Sequence, residues 1–345
     1  MGRVLHLISH LEEGGAQRQL SYTISFAKKH EPEIASLIAS PADRLFPPFR
    51  NIAVPIHFLS YSNDFYAPEI VPALQKLLSN GQFSLVHCWL YQSIVQGVIV
   101  SRLHGVPCIA SPRSMLTMLD FEGNKRWERF LIRKTIPMAQ ITVVPSYSVA
   151  MDLVEARWVE RNRVRVVYNG VDCDHFFPVL EGDAIVAVGR QSVEKAYPEL
   201  ASILRRLRER IGDVRCLVAG GGKADFYPEI EMVGQVRDIR EVLKQAAIFL
   251  SASLTEGMSN ALLEAQAMGI PAVVRRLGSN SEIIEHGING FLAGNEGDFV
   301  EACERLLKEP ALRREMGQNA RSKMMAEFSA SRQIERIEAV YDELL

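Results

Sequence analysis

Short apolar runs alternate with amphipathic helical stretches along the whole chain. The runs are continuous, without a polar residue at every second position, which indicates parallel strands covered on both faces. The runs predicted as strands are 4–9, 34–39, 84–88, 107–111, 140–146, 163–168, 184–189, 214–220, 247–251 and 271–274. Helical patterns are predicted at 17–29, 91–104 and 260–268. Repetition of strand and helix favours a doubly wound α/β fold.

These strands are too many for one open sheet of ordinary width, and 345 residues suffice for two domains. The boundary is predicted within residues 169–178, where an Asn-Gly turn signal is followed by Pro178. We therefore predict an N-terminal domain of residues 1–170 and a C-terminal domain of residues 171–329. The last helical run, about 330–345, need not belong to the second domain.

Composition excludes several classes of protein. The formal net charge of −2 argues against a nucleic-acid binder. The five cysteines are scattered without a C-x-x-C pair, so we expect reduced thiols and neither disulfides nor a zinc site. The N-terminus is too interrupted for a signal peptide, and no run approaches the roughly 18 apolar residues of a membrane span. We expect a cytoplasmic protein.

One segment, residues 251–274, combines several features of a ligand site. An apolar strand ends at Ser251, and a helix is predicted to begin near Ser259 or Asn260 and to stop at Gly269. The amino end of a helix presents unpaired N–H groups and the positive end of the helix dipole. It therefore suits a phosphate.

Two carboxylates and a glycine lie in the same segment. Glu256 and Glu264 can accept hydrogen bonds from sugar hydroxyls, and Gly257 lets a ligand approach the backbone. A phosphate seat with hydroxyl acceptors beside it suits a nucleotide sugar. Taken singly, each glutamate has the alternative interpretation of a solvated charge.

Two other loops are candidates for binding phosphate. Arg190 and Lys195 follow the first strand of the second domain, at the strand end where open α/β sheets bind ligands. Two cations there could neutralise a diphosphate, or they could simply decorate the surface. Gly14 and Gly15 lie at the start of the first helix, without the G-x-G-x-x-G pattern. Their backbone amides bind a phosphate, or the two glycines only form the turn from strand to helix.

Further features each have two interpretations. Gly220–Gly222 admits a ligand or forms a flexible loop, and Asp172–Asp174 binds a metal or is an ordinary polar loop. His87 and His10 end strands, where they face a cleft or are packed. The basic amphipathic stretch 125–134 lies on an anionic membrane or packs on its own sheet.

Several motifs together resemble the retaining glycosyltransferases of the GT-B fold, family 4, and they span nearly the whole chain in the expected order. The glutamate pair with seven residues between is the most specific of them. The motifs are G-G-A-Q-R at 14–18, N-G-V-D…F…P at 169–178, V-G-R…E-K at 188–195, S…E-G-M-S-N-A-L-L-E-A…G-I-P at 251–271 and S-E-I-I-E-H-G-I-N-G-F-L at 281–292.

The resemblance implies two Rossmann-like domains that face each other across a cleft, with the nucleotide on the C-terminal domain and the final helix crossing back onto the N-terminal one. It implies transfer of a sugar from a nucleotide-diphosphate donor to a hydroxyl acceptor, with retention of anomeric configuration and without a metal or other cofactor. We expect a glycan or lipid-linked acceptor in surface polysaccharide or glycoconjugate assembly. We also expect no nucleic-acid partner, and weak peripheral membrane contact through 125–134.

Carried over residue by residue, the resemblance implies three groups of site residues. Those at the reacting diphosphate and sugar are Arg190, Lys195 and Glu256. Those that bind the donor are Gly14, Gly15, Gly257, Met258, Ser259, Asn260 and Glu264, the last through the ribose hydroxyls. Candidates on the acceptor side are Arg18, His87 and Arg113.

Two positions depart from the family pattern. Many relatives carry a His after the strand at 107–111, whereas this chain has Arg113, which cannot act as a base at neutral pH. Arg113 is instead expected to grip the acceptor or to stabilise phosphate charge. Ala196 follows Lys195 where the family more often has Gly. The competing hypotheses are a nucleotide-sugar epimerase and a non-catalytic subunit that binds a nucleotide sugar.

Overall fold

The computed structural model describes residues 2–121, 126–178, 182–222 and 226–345. The chain divides into two compact units. Unit 1 comprises Met1–Gly170 and Ala330–Leu345, and unit 2 comprises Val171–Ser329.

Unit 1 is built on a seven-stranded parallel sheet in the order β3-β2-β1-β4-β5-β6-β7. This order, which reverses direction between β1 and β4, is that of a doubly wound fold. The strands are β1 Arg3–Ile8, β2 Glu31–Ser36, β3 Ile56–Phe58, β4 Leu85–Trp89, β5 Cys108–Ser111, β6 Ile141–Val144 and β7 Val164–Val166. The predicted strands are all present, and β3 is additional to the prediction.

Unit 2 is built on a six-stranded parallel sheet in the order β10-β9-β8-β11-β12-β13. The strands are β8 Ala184–Val188, β9 Cys216–Ala219, β10 Glu231–Gly234, β11 Ala246–Ser251, β12 Ala272–Arg275 and β13 Gly290–Ala293. Four of them were predicted, and β10 and β13 were not. The prediction of parallel α/β sheets in both halves is confirmed.

Helices connect the strands of both sheets. They are α1 Gly15–Ser25, α2 Pro47–Arg50, α3 Ile70–Gly81, α4 Tyr91–Leu103, α5 Met118–Phe121, α6 Arg126–Thr135, α7 Tyr147–Glu155, α8 Tyr197–Ile211, α9 Arg240–Leu243, α10 Asn260–Ala267, α11 Gly278–Ile283, α12 Glu296–Lys308, α13 Pro310–Glu327 and α14 Ala330–Asp342. In the described part of the chain, none of these helices is both long enough and apolar enough to cross a membrane.

Helix α1 ends before the predicted residue 29. The backbone N–H groups of Lys28 and Lys29 donate to the Glu338 carboxylate on α14, at 2.8 and 2.7 Å, so they are not part of a continued helix. α14 therefore packs on unit 1 both through this contact and through Ile334 and Ile337, which are buried in the core beside β1 and β4.

Candidate active site

The segment between β11 and α10 folds as the sequence predicts. α10 begins at Asn260, and the side chain of its N-cap residue, Ser259, accepts a hydrogen bond from the Leu262 N–H at 3.3 Å. The helix stops before Gly269, whose φ of +75° lies in the left-handed region that glycine adopts without strain. The predicted start and end of this helix are confirmed.

Lys195 and Glu256 form an ion pair at this segment. Lys195 Nζ lies 2.5 Å from Glu256 Oε1, and the two side chains are only 22% and 14% exposed. The Glu256 carbonyl accepts a hydrogen bond from Ser279 Oγ at 3.0 Å, which fixes the loop. Lys195 ends a 3₁₀ turn after β8, and its stem passes over Gly189, where a β-carbon would lie 3.1 Å from Lys195 Cε.

Arg190 lies in the same loop, but its side chain is 66% exposed. Its Nε is 3.8 Å from Glu194 Oε1, too far for a hydrogen bond. Glu194 itself is buried and accepts a hydrogen bond from Ser192 Oγ at 2.5 Å. Arg190 can therefore move onto an anionic ligand without breaking a buried ion pair.

Glu264 lies in the second turn of α10 and is 3% exposed. The solvated-charge interpretation is therefore wrong for Glu264, and Glu256 is also largely buried and paired. Gly257 and Met258 are buried in the loop that precedes the helix. A buried carboxylate is stable only with polar partners, so Glu264 is held in a defined position.

Gly220 permits a close contact between two backbone segments of unit 2. Its φ is +154°, and a β-carbon there would lie 1.9 Å from the Gly189 carbonyl oxygen. Glycine thus lets the ends of β8 and β9 come close together beneath the loop that carries Arg190 and Lys195. This close approach accounts for the glycine without a ligand.

Ala196 adopts φ +50° and ψ +47°, a left-handed conformation. A residue with a β-carbon is strained there by about 1–2 kcal/mol. The geometry explains why glycine is the usual residue at this position in the family that the sequence resembles. In this chain the strain falls between Lys195 and the first turn of α8.

In unit 1, Gly14 precedes α1 with extended backbone and, lacking a side chain, cannot cap the helix. A β-carbon at Gly14 would collide with Gln17 Oε1 at 2.4 Å. The Gln17 amide donates to the His10 carbonyl at 3.2 Å, which ties the helix to the strand end before it. Arg18 lies 3.5 Å from the Glu13 carboxylate.

Arg113 follows β5 and lies over the Trp89 ring, with its guanidinium carbon 5.2 Å from the ring centroid. It also donates a hydrogen bond to Asn169 Oδ1. Burial lowers the pKa of Arg113 to about 10, so it remains charged at neutral pH. The side chain is thus a fixed cation at the carboxyl end of the sheet.

His87 is fully buried. Its Nδ1 lies 2.7 Å from the Tyr341 hydroxyl oxygen and its Nε2 lies 2.7 Å from Ser111 Oγ. Burial is the main cause that holds the His87 pKa well below its usual value, and the neighbouring His6 and Arg113 lower it further. Both ring nitrogens are thus engaged inside unit 1, and the packed-histidine alternative describes His87 better than the acceptor-side one.

The Asp172–Asp174 motif forms a turn. Asp172 Oδ1 accepts hydrogen bonds from the backbone N–H groups of Asp174 and His175, at 3.1 and 3.0 Å. Among the described residues, no group of three or more His, Cys, Asp or Glu side chains could hold a metal ion.

The basic stretch 125–134 corresponds largely to α6, and Lys125 lies outside the described residues. The helix packs against α4 and buries Ile132. Trp127 and Phe130 are exposed, at 44% and 59%.

Comparison with known proteins gives the family. A model described as Glycosyltransferase Family 4 matches residues 14–175, and one described as Glycosyl transferases group 1 matches residues 182–309. The chain belongs to the group 1 glycosyltransferases. It is 26% identical over 308 residues, 79% of each chain, to the UDP-Gal:alpha-D-GlcNAc-diphosphoundecaprenol alpha-1,3-galactosyltransferase of Escherichia coli. It is 24% identical to the D-inositol 3-phosphate glycosyltransferase of Pseudarthrobacter chlorophenolicus, over 73% of this chain and 69% of that one.

The fold of this glycosyltransferase is GT-B. The crystal structure of Anabaena HepE in complex with UDP-glucose superimposes with a TM-score of 0.85 at 16% identity, covering 99% of this chain and 100% of the other. The prediction of a GT-B glycosyltransferase is therefore confirmed. The roles of the individual site residues stay predictions.

Sequence reasoning missed the residues that hold the glycosyltransferase's site side chains in place. Ser279 fixes the Glu256 carbonyl, and the Tyr197 hydroxyl donates to the Gly189 carbonyl at 2.6 Å. Asn169 was interpreted only as part of a turn, although its amide oxygen holds Arg113. An Asn next to a Gly signals a turn equally well with or without a partner, so the sequence had no means to reveal this contact.

Proposed function

We propose that this glycosyltransferase moves a sugar from a nucleoside-diphosphate donor to a hydroxyl group of a glycan or lipid-linked acceptor, with retention of anomeric configuration. The observation that carries the proposal is the Lys195–Glu256 pair beside the amino end of α10, with Arg190 in the adjacent loop. This arrangement brings cations and helix-end N–H groups together at the carboxyl ends of β8 and β11, where α/β sheets bind nucleotides.

The chemical task at this site is to stabilise a leaving diphosphate as the glycosidic bond breaks. Preorganised cations and backbone N–H groups stabilise developing negative charge without transferring a proton. The ammonium of Lys195 would release Glu256 in part and contact the diphosphate, while Arg190 would close over it from solvent. These two cations supply the charge neutralisation, so we expect activity to survive treatment with EDTA.

The carboxylates are assigned to binding the donor. Glu256 would contact the sugar, and the buried Glu264 would accept hydrogen bonds from ribose hydroxyls. Because Glu256 is already paired with Lys195, it is a poor candidate for a nucleophile. Attack of the acceptor from the face of departure therefore accounts for retention better than a double displacement does.

The acceptor is assigned to unit 1, where Arg113 and Arg18 present cations near the carboxyl ends of β5 and β1. Because one relative is named for a diphosphoundecaprenol substrate, a lipid-linked acceptor is supported by analogy. The exposed Trp127 and Phe130 on the basic helix α6 suit weak peripheral contact with the cytoplasmic face of a membrane. The same analogy supports our proposal of a role in surface polysaccharide or glycoconjugate assembly.

The donor is tested by a thermal-shift screen with UDP, GDP, ADP and their sugars, since a ligand that binds the folded state raises the melting temperature. The donor that shifts it is then incubated with hydroxyl acceptors, and the anomeric configuration of the product is read by proton NMR. An inverted product would refute retention. A rearranged nucleotide sugar formed without any acceptor, detected by mass spectrometry, would refute transfer in favour of epimerisation.

A further inference from the structure

A cavity opens in unit 1 at the amino ends of β6 and β7. Its volume is about 760 Å³, and it lies between the carboxyl ends of α6 and α7 and the 3₁₀ turn Arg161–Arg163 that leads into β7. Because the strands are parallel, their amino ends lie opposite to their carboxyl ends, where Gly14 and Arg113 follow β1 and β5. The cavity is thus separate from every residue assigned above to donor or acceptor.

The charge of the cavity is strongly unbalanced. Five cationic side chains from three chain segments line it: Arg133, Lys134, Arg157, Arg161 and Arg163. Glu160 is the acidic residue of the lining, and its carboxylate lies 3.6 Å from Arg163 Nε. One carboxylate cannot neutralise five cationic side chains, so the cavity carries a net positive charge.

Arg157 ends α7 beside the cavity. It adopts φ +58°, the left-handed conformation common just after a helix, and its N–H donates to the Val154 carbonyl at 3.0 Å. The Trp158 N–H donates to the Leu153 carbonyl at 2.9 Å, and Trp158 and Val159 are almost fully buried. This helix-ending turn places Arg157 at the cavity together with the 3₁₀ turn that carries Arg161.

An exposed arginine usually has only a solvation role, and such a residue alone would indicate nothing. Here the cations converge from separate segments on a cavity large enough for a small ligand. Like charges in a concave surface attract an anion, and guanidinium groups match phosphate oxygens in geometry as well as charge. A single carboxylate would leave most of the positive charge unmatched, which favours a ligand with several negative charges.

We propose that this cavity is a second anion site, which binds a ligand carrying two or more phosphate groups. The ligand is either a soluble polyphosphorylated compound or the clustered head groups of anionic lipids. Both sources present the same chemistry. The proposal does not depend on the transferase activity. Of its residues, Arg133 and Lys134 belong to the helix proposed above for membrane contact, whereas Arg157, Arg161 and Arg163 have no other assignment.

The test titrates inorganic tripolyphosphate into the protein by calorimetry, in a Lys195→Ala background that weakens competing binding at the donor site. A double variant, Arg157→Asn with Arg161→Gln, removes two cavity charges, and Asn tolerates the left-handed backbone. We expect its dissociation constant to rise at least tenfold. The matched control, Arg44→Gln with Lys76→Gln, removes two exposed charges elsewhere on unit 1 and should change the constant less than twofold.

A parallel arm measures co-sedimentation with vesicles of phosphatidylcholine alone or with 30% phosphatidylglycerol. Binding of tripolyphosphate identifies a soluble source, and binding to the anionic vesicles alone identifies lipid head groups, provided that the cavity variant reduces it. If the arginine pair fails to fold, Arg133→Gln with Lys134→Gln on the exposed face of α6 replaces it. The proposal is overturned if the wild type binds neither probe, or if the cavity variant and the control behave alike.

Discussion

Replacement of Lys195 by Ala should separate catalysis from stability. By analogy with the loss of an oxyanion-hole donor, the variant should lose roughly 2–4 kcal/mol of transition-state stabilisation, or about 30- to 900-fold in kcat/KM. The cost in stability is smaller. The ion pair with Glu256 is short but partly exposed, so its loss falls between that of a surface pair, about 0.2–1 kcal/mol, and that of a charged hydrogen bond, about 1.5–3 kcal/mol.

Arg190→Ala provides the comparison at the same site. The Arg190 side chain is mostly solvated and 3.8 Å from its acidic neighbour, so its removal should cost less than about 0.5 kcal/mol of unfolding free energy. Its kcat/KM should nevertheless fall by an amount similar to that of Lys195→Ala. A variant that loses activity while keeping its stability cannot be explained by unfolding.

Lys244→Ala is the control for the ion pair itself. Lys244 Nζ also lies 2.5 Å from a carboxylate oxygen, that of Glu241, but these two side chains are exposed and lie at α9, away from the loop of Lys195. Steady-state rates are measured at donor concentrations well below KM, with unfolding followed by urea titration. If Lys195→Ala and Arg190→Ala both keep the wild-type kcat/KM, the diphosphate is not held by this loop and the proposed site is wrong.

Three further changes test other parts of the structure. Glu264→Gln should reduce about tenfold the preference for a ribonucleotide donor over its 2′-deoxy analogue, measured as a ratio of kcat/KM, and an unchanged ratio would remove Glu264 from the ribose site. Ala196→Val should lower the unfolding free energy by about 2 kcal/mol or more, because branching worsens the left-handed strain, whereas Ala196→Gly should stay within about 1 kcal/mol in urea titrations. Burial lowers the pKa of His6 to about 3, so its contribution to stability is present above pH 6.5 and is lost as pH falls towards 3. Between pH 6.5 and 5 that loss is about 1.6 kcal/mol. His6→Gln should remove it and leave the part of the pH dependence that is due to the buried His87; a pH dependence unchanged in the variant would contradict the assignment.

The strands that the sequence did not predict lie at the edges of the sheets. β3 and β10 are edge strands with only three and four residues, and β13 is the other edge of the second sheet. An edge strand has one neighbour and is less enclosed, so it need not be continuously apolar. β10, for example, alternates exposed and half-buried residues. This accounts for β10, whereas β13 is buried throughout and the edge strand β7 was predicted, so position at an edge explains only part of the omission.

Part of the candidate site could be predicted because it is local. The strand, loop and capped helix of residues 251–274 follow one another in sequence, so turn and cap signals are sufficient to locate them. The pairing of Lys195 with Glu256 joins residues 61 positions apart, and that of Arg113 with Asn169 joins residues 56 apart. Such contacts depend on which strands are neighbours, and single-sequence patterns do not give strand order.

The burial of His87 also could not be predicted from the sequence. A histidine at a strand end has the same sequence signature whether it faces solvent or the interior. Its partner Tyr341 comes from α14, 254 positions later, and nothing local to His87 signals that contact.

The core of unit 1 is completed by α14, which follows unit 2 in the chain. The Glu338 carboxylate accepts hydrogen bonds from the Lys28 and Lys29 N–H groups, and the Tyr341 hydroxyl contacts the imidazole of His87. A ribosome must therefore translate all of unit 2 before the last helix can seal the first sheet. Until then, the apolar surface of the sheet that Ile334 and Ile337 cover in the folded protein lacks that cover.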